Sequence, residues 1–153
     1  MQRKEFVRKG SLEGAGKLRI GIAVAEFNAD VTESMLEGAL QVLSSCGVKE
    51  RNISISRVYG SYDIPFACAQ LIRRKKPHAV VAIGCIIKGE TEHDRYIASA
   101  VSHGIMDVML KNKVPISFGI LTTNTLAQAR ARSRGKTNHG EKAAIAALQA
   151  ALL

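Results

Sequence analysis

A chain of 153 residues with 46% hydrophobic and 23% charged residues can close one core of its own, and shows none of the bias of a disordered or fibrous sequence. No apolar run approaches the ~18 residues that span a bilayer, and the first residues lack an apolar signal core, so neither a membrane partner nor export is expected. The net charge of +9 would admit a polyanion, but three Tyr and four Phe, none interleaved with the basic residues, do not make a base-stacking surface, so no nucleic acid is expected. Cys46, Cys68 and Cys85 are odd in number and sit inside apolar segments. They read as small buried hydrophobes in a reducing, cytoplasmic compartment, and no His/Cys spacing suggests a metal.

Residues 1–16 are polar and dotted with glycine, which predicts an extended N-terminal arm before a single domain over 17–153. The first strong strand is 18–25. Thr32 is placed to cap the helix that follows, with Met35, Leu36, Ala39, Leu40 and Leu43 at helical spacing and Gly47 at its C-terminal cap. A second strand, 53–58, delivers Gly60, Ser61, Tyr62 and Asp63. Pro65 then suits the first turn of a helix, which Arg73, Arg74, Lys75 and Lys76 close before Pro77. The third strand, 79–87, is apolar without alternation, as expected of a strand buried on both faces. A helix over about 96–109, a strand over 114–121 and two helical pieces near 125–133 and 140–152 complete the chain. Four strands alternating with helices predict an α/β fold: three layers, a four-stranded parallel sheet and helices on both faces.

The end of the third strand gathers the polar groups. Lys88, Gly89, Glu90, Thr91 and His93 follow its carboxyl end directly and precede a helix. Ligands of open α/β sheets bind at such ends. A Gly and a Thr at a helix entrance offer free N–H groups and a hydroxyl to an anion, most plausibly phosphate. His93 adds a group that moves protons near neutral pH. Residues 26–28 and 60–63, at two other strand ends, converge on the same edge. Taken singly, each has a plainer reading: Phe27 as a core aromatic, Asp63 as a helix-start acid, His93 as a surface residue, Arg132 as one of several basic helix-end residues.

Together these clusters resemble the 6,7-dimethyl-8-ribityllumazine synthase family, over about residues 17–150. The resemblance is carried by Ala25, Glu26, Phe27 and Asn28 with Thr32; by Gly60, Ser61, Tyr62, Asp63, Ile64 and Pro65; by residues 84–93 and 118–125; by Gln128, Ala129 and Arg132; and by Asn138, His139 and Gly140. It implies a flavodoxin-like fold. It also implies an enzyme that condenses 5-amino-6-(D-ribitylamino)uracil with 3,4-dihydroxy-2-butanone 4-phosphate and releases inorganic phosphate, with no cofactor and no metal. Phe27 would stack on the pyrimidinedione, with Asn28, Gly60, Ser61, Tyr62, Ile86 and Ile87 around it, and Asp63 would hold ribityl hydroxyls. Gly89, Glu90 and Thr91 would form the phosphate turn, aided by Lys88, with Arg132 as the phosphate arginine and His93 as the proton-transfer residue. The implied assembly is a homo-oligomer, a pentamer alone or built into a decamer or a sixty-subunit shell, in which Phe118, Arg132 and His139 reach the site of the next subunit. Riboflavin synthase is a further implied partner. A non-catalytic phosphate- or flavin-precursor-binding paralogue and a basic shell-forming structural protein remain alternatives on sequence alone.

Some positions depart from the family pattern. Asp63 stands where Glu is usual, and Asp94 and Arg95 follow His93 where an aromatic and then an acid are common. His139 replaces a lysine, and Lys142 takes a place where an acid is common. The stretch between Arg132 and Asn138 is about one residue short.

Overall fold

Strand and helix patterns alternate along the chain, and the computed structural model, which describes residues 12–153, turns that alternation into a layered sheet. The elements are β1 (Ile20–Ala25), α1 (Ala29–Ser45), β2 (Ile53–Val58), α2 (Ile64–Lys75), β3 (Ala79–Ile87), α3 (His93–Asn112), β4 (Ile116–Thr123), α4 (Leu126–Arg132) and α5 (His139–Ala151). All neighbouring strands are parallel, in the order β2-β1-β3-β4. The chain therefore winds to one side from β1 to β2 and to the other from β3 to β4. Between β1 and β3 the direction of winding reverses, which opens a crevice at the strands' carboxyl ends.

The pleat divides the core in two. Ile20, Ile22 and Val24 of β1, with Val81, Ile83 and Cys85 of β3, pack under α1 and α5. Ala23, Ala25, Val80, Ala82 and Ile86 pack under α2 and α3. Every residue of β1 is buried, as is all of β3 but Ile87. Alternate side chains thus feed opposite layers, and the apolar runs need no alternation. Small residues bring α5 close: a Cβ on Gly119 would stand 2.7 Å from the Ala82 carbonyl oxygen and 2.9 Å from the Ala143 Cβ.

Several local expectations hold. Pro65 lies in the first turn of α2, basic residues fill that helix's last turn, and Lys76 ends it in a left-handed conformation. Gly47, at φ 85°, follows the C-cap of α1. Others shift. Thr32 does not cap α1: the helix begins at Ala29 after Asn28, and Thr32 is buried inside its first turns. The fourth strand runs 116–123 rather than 114–121. Pro115 has no N–H for the ladder, whereas Thr122 and Thr123 continue it opposite Ile86 and Ile87. Of the arm expected over 1–16, the first eleven residues lie outside the described residues; Ala15 is fully buried and Leu12 packs against the same core.

Candidate active site

Three strand ends are tied to one another by backbone groups. Leaving β1, the Glu26 N–H donates to the Val58 carbonyl at 2.7 Å and the Phe27 N–H to the Tyr59 carbonyl at 2.9 Å. Asn28 turns the chain with φ 63°, a conformation that Asn tolerates better than most residues, and its side-chain amide donates to the Cys85 carbonyl at 3.0 Å. One short turn is thereby fixed against both β2 and β3. It presents the Phe27 ring, 58% exposed and tilted against Tyr59 at a centroid distance of 6.1 Å.

Beyond β2, Gly60 leads into a 3₁₀ turn, Ser61–Asp63, and one carboxylate oxygen of Asp63 accepts the Gly60 N–H at 3.2 Å. This turn seats on β3 because residue 84 is glycine. A Cβ there would meet the Ser61 hydroxyl at 2.5 Å and the Ile64 Cδ1 at 3.0 Å. Beyond β3, the Lys88 N–H donates to the Thr123 carbonyl at 2.9 Å, and the Thr91 hydroxyl accepts the His93 N–H at 3.3 Å as α3 begins.

These ends enclose a cavity of about 660 Å³, large enough for a ligand of drug size. Phe27 and Tyr59 form an aromatic wall, Ser61 and Asp63 a polar one, and Gly89, Thr91 and His93 the rim toward α3. Cys85 lines the floor. Burial pushes its thiol up to about 11, with a smaller contribution from Asp30, so it is neutral at physiological pH and no nucleophile. A second hollow, of about 490 Å³, adjoins the first through Tyr62, His93 and Ile97. Among the described residues no group of three or more His, Cys, Asp or Glu could hold a metal ion, and no helix is long and apolar enough to cross a membrane.

The family model for 6,7-dimethyl-8-ribityllumazine synthase matches residues 17–153. The chain is similar to the protein of that name from Porphyromonas gingivalis, at 43% identity over 135 residues, covering 88% of this chain and 84% of that one. It is also similar to those of Parabacteroides distasonis, at 40% over 140 residues (91% of this chain, 88% of that one), and Phocaeicola vulgatus, at 38% over 140 residues (91% and 83%). The chain belongs to the 6,7-dimethyl-8-ribityllumazine synthase family.

Eleven of the residues singled out by resemblance to the lumazine synthases come together in the cavity wall: Phe27, Asn28, the four from Gly60 to Asp63, Ile86, Ile87, Gly89, Thr91 and His93. Lys88 and Glu90 lie on the same turn but not in the lining. Phe118, Arg132 and His139 lie outside it too. Phe118 is 47% exposed on the edge strand β4. Arg132 ends α4, with one guanidinium nitrogen donating to the Gln128 carbonyl at 3.0 Å, and His139 begins α5.

The segment carrying Arg132 and His139 is strapped to α1. The Ser34 hydroxyl donates to the Ser133 carbonyl at 2.7 Å, the Asn138 amide donates to the Ser34 carbonyl at 3.1 Å, and Arg130 pairs with Asp30 at 3.0 Å. The sequence reading of lumazine synthase positions gave no site role to Tyr59, Cys85, Asp94 or Ile97, all of which line the cavity. Ile97 follows His93 by one helical turn, and Cys85 lies two residues before Ile87 on β3, so the periods of helix and strand carry a signal for both.

Proposed function

We propose that this protein is a lumazine synthase in activity as well as in family. It condenses 5-amino-6-(D-ribitylamino)uracil with 3,4-dihydroxy-2-butanone 4-phosphate to 6,7-dimethyl-8-ribityllumazine in the cytoplasm. The observation that carries the reading is the single cavity in which an open aromatic face, a carboxylate, a Gly/Thr turn at a helix entrance and a histidine meet. Phe27 stacks on the pyrimidinedione. Asp63, an acceptor, takes hydroxyl hydrogens of the ribityl chain. The turn of Gly89, Glu90 and Thr91 receives the phosphate group.

The proposed reaction runs in steps. The primary amine of the pyrimidinedione adds to the ketone, and loss of water gives a Schiff base. Removal of a proton next to the imine drives out inorganic phosphate and leaves an enol. Its tautomer is attacked by the ribitylamino nitrogen, and loss of a second water closes the ring. Each step moves a proton, and His93 at the rim is the group that carries it. Much of the acceleration comes from holding two flexible substrates in reacting geometry.

Among the described residues no arginine lines the cavity, and Phe118, Arg132 and His139 lie outside its lining. We infer a ring of five subunits in which these three residues complete the neighbour's site. Exposed Tyr62, which lines the cavity, and Tyr96, which lines the adjoining hollow, support a covering subunit. Activity is tested by incubating the protein with both substrates and following lumazine absorbance and phosphate release, expected in equal amounts. The shared site is tested by mixing His93→Ala with Arg132→Ala subunits. Random mixing around a ring restores about a quarter of the sites. Confirmed mixing without recovered activity refutes the shared site.

A further inference from the structure

Asp94 is a carboxylate in the cavity wall that the reaction above does not use. It lies in the first turn of α3, next to His93, and lines the cavity with Asp63, Thr91 and Ile97. Its Oδ1 is shielded from solvent and has no hydrogen-bond partner among the described residues. The neighbouring cation is engaged elsewhere, since Arg95 pairs with Glu92 at 3.3 Å. A shielded carboxylate oxygen without a donor is a costly arrangement. A turn about the Asp side chain's own bonds relieves it as soon as a donor enters the cavity.

The chemistry of the cavity says which donor that is. The phosphate end is excluded, because a phosphate dianion carries no hydrogen to donate to a carboxylate oxygen. The polyol end has hydroxyl donors on successive carbons and needs several acceptors. Asp63, expected there, gives one of its two oxygens to the Gly60 N–H.

We propose that Asp94 is a specificity-determining residue: its carboxylate receives ribityl hydroxyls that the partly engaged Asp63 leaves unheld. The inference rests on the reaction proposed above. A hydrogen bond to a charged acceptor in a shielded site is worth about tenfold or more in affinity.

The test measures equilibrium binding of two ligands, the ribityl-bearing pyrimidinedione and the same ring without its ribityl chain. Asp94→Asn, close in shape and at a partly exposed helix start, should weaken the first about tenfold and the second less than twofold; Asp94→Ser should do the same. Adding Asp63→Glu to Asp94→Asn should recover part of the loss. Equal weakening of both ligands, or of neither, overturns the proposal. So does a shifted pH profile of kcat with unchanged affinities, which would make Asp94 a positioning residue for His93. If the wild-type protein fails to distinguish the two ligands, the reading of the cavity itself falls, and the role of Asp94 with it.

Discussion

Asn138→Ala should cost far more than one hydrogen bond. Its side chain is 6% exposed, sits against Gly38 of α1, and works in two directions. Its oxygen caps α5, accepting the N–H of Gly140 at 2.8 Å and of Glu141 at 3.4 Å, while its nitrogen donates to the Ser34 carbonyl. Loss of such a cap costs about 1 kcal/mol. Leaving the buried Gly140 N–H without an acceptor adds roughly 1–2 kcal/mol, and the lost bond to Ser34 about 0.5–1 kcal/mol. The total is about 2.5–4 kcal/mol, or roughly 5–15 °C in Tm for a chain of this size. Asn138→Asp keeps the cap acceptor and loses only the donor, so it should fall in between. Thermal and denaturant unfolding measure both. Because the same side chain anchors the segment between Arg132 and His139, Asn138→Ala should also raise KM for the butanone phosphate while sparing KM for the pyrimidinedione. A loss below about 1 kcal/mol, or equal losses for Ala and Asp, would refute the two-way strap.

His93→Ala should slow kcat by roughly 10²- to 10⁴-fold with substrate affinity little changed, and an unchanged steady-state rate would remove His93 from proton transfer. Arg132→Lys should weaken binding of the phosphorylated substrate, because an ammonium cannot reproduce the planar fork; wild-type affinity in titration calorimetry would contradict that role. Cys85 should resist iodoacetamide at pH 8 and react faster as pH rises toward about 11, in the native protein followed by mass spectrometry. Its folded pKa lies above the unfolded value, so its contribution to stability is full below about pH 9 and is lost between there and about 11. Fast alkylation of the folded protein at pH 8 would contradict the burial.

The parts of the fold that were legible are those with a period. The unbroken apolar run of β3 could only be a doubly covered strand, and the alternation of elements then left few topologies. Thr32 misled because a hydroxyl before an apolar helical pattern reads as a cap. The true start lies at Asn28, whose side chain is spent on the Cys85 carbonyl instead. That bond joins residues 57 apart and has no local signature. At the site, His93 and the turn before it stood out because ionisable groups seldom cluster behind a buried strand. Tyr59, Asp94 and the seating of Ser61 on Gly84 depend on which strands lie side by side, and that order is not written in any one segment.

The tie between Asn28 and Cys85 also sets when the site can exist. β2 can pair with β1 early, but β3 must then enter on the other side of β1 before the Asn28 amide finds its acceptor. Contacts this distant along the chain form late, after the entropy of closing long loops has been overcome. The cavity therefore forms no earlier than the pairing of β1 with β3, and a ligand has nothing to bind before then. Added to a refolding mixture, it should leave the folding rate alone and act only on the rate of unfolding.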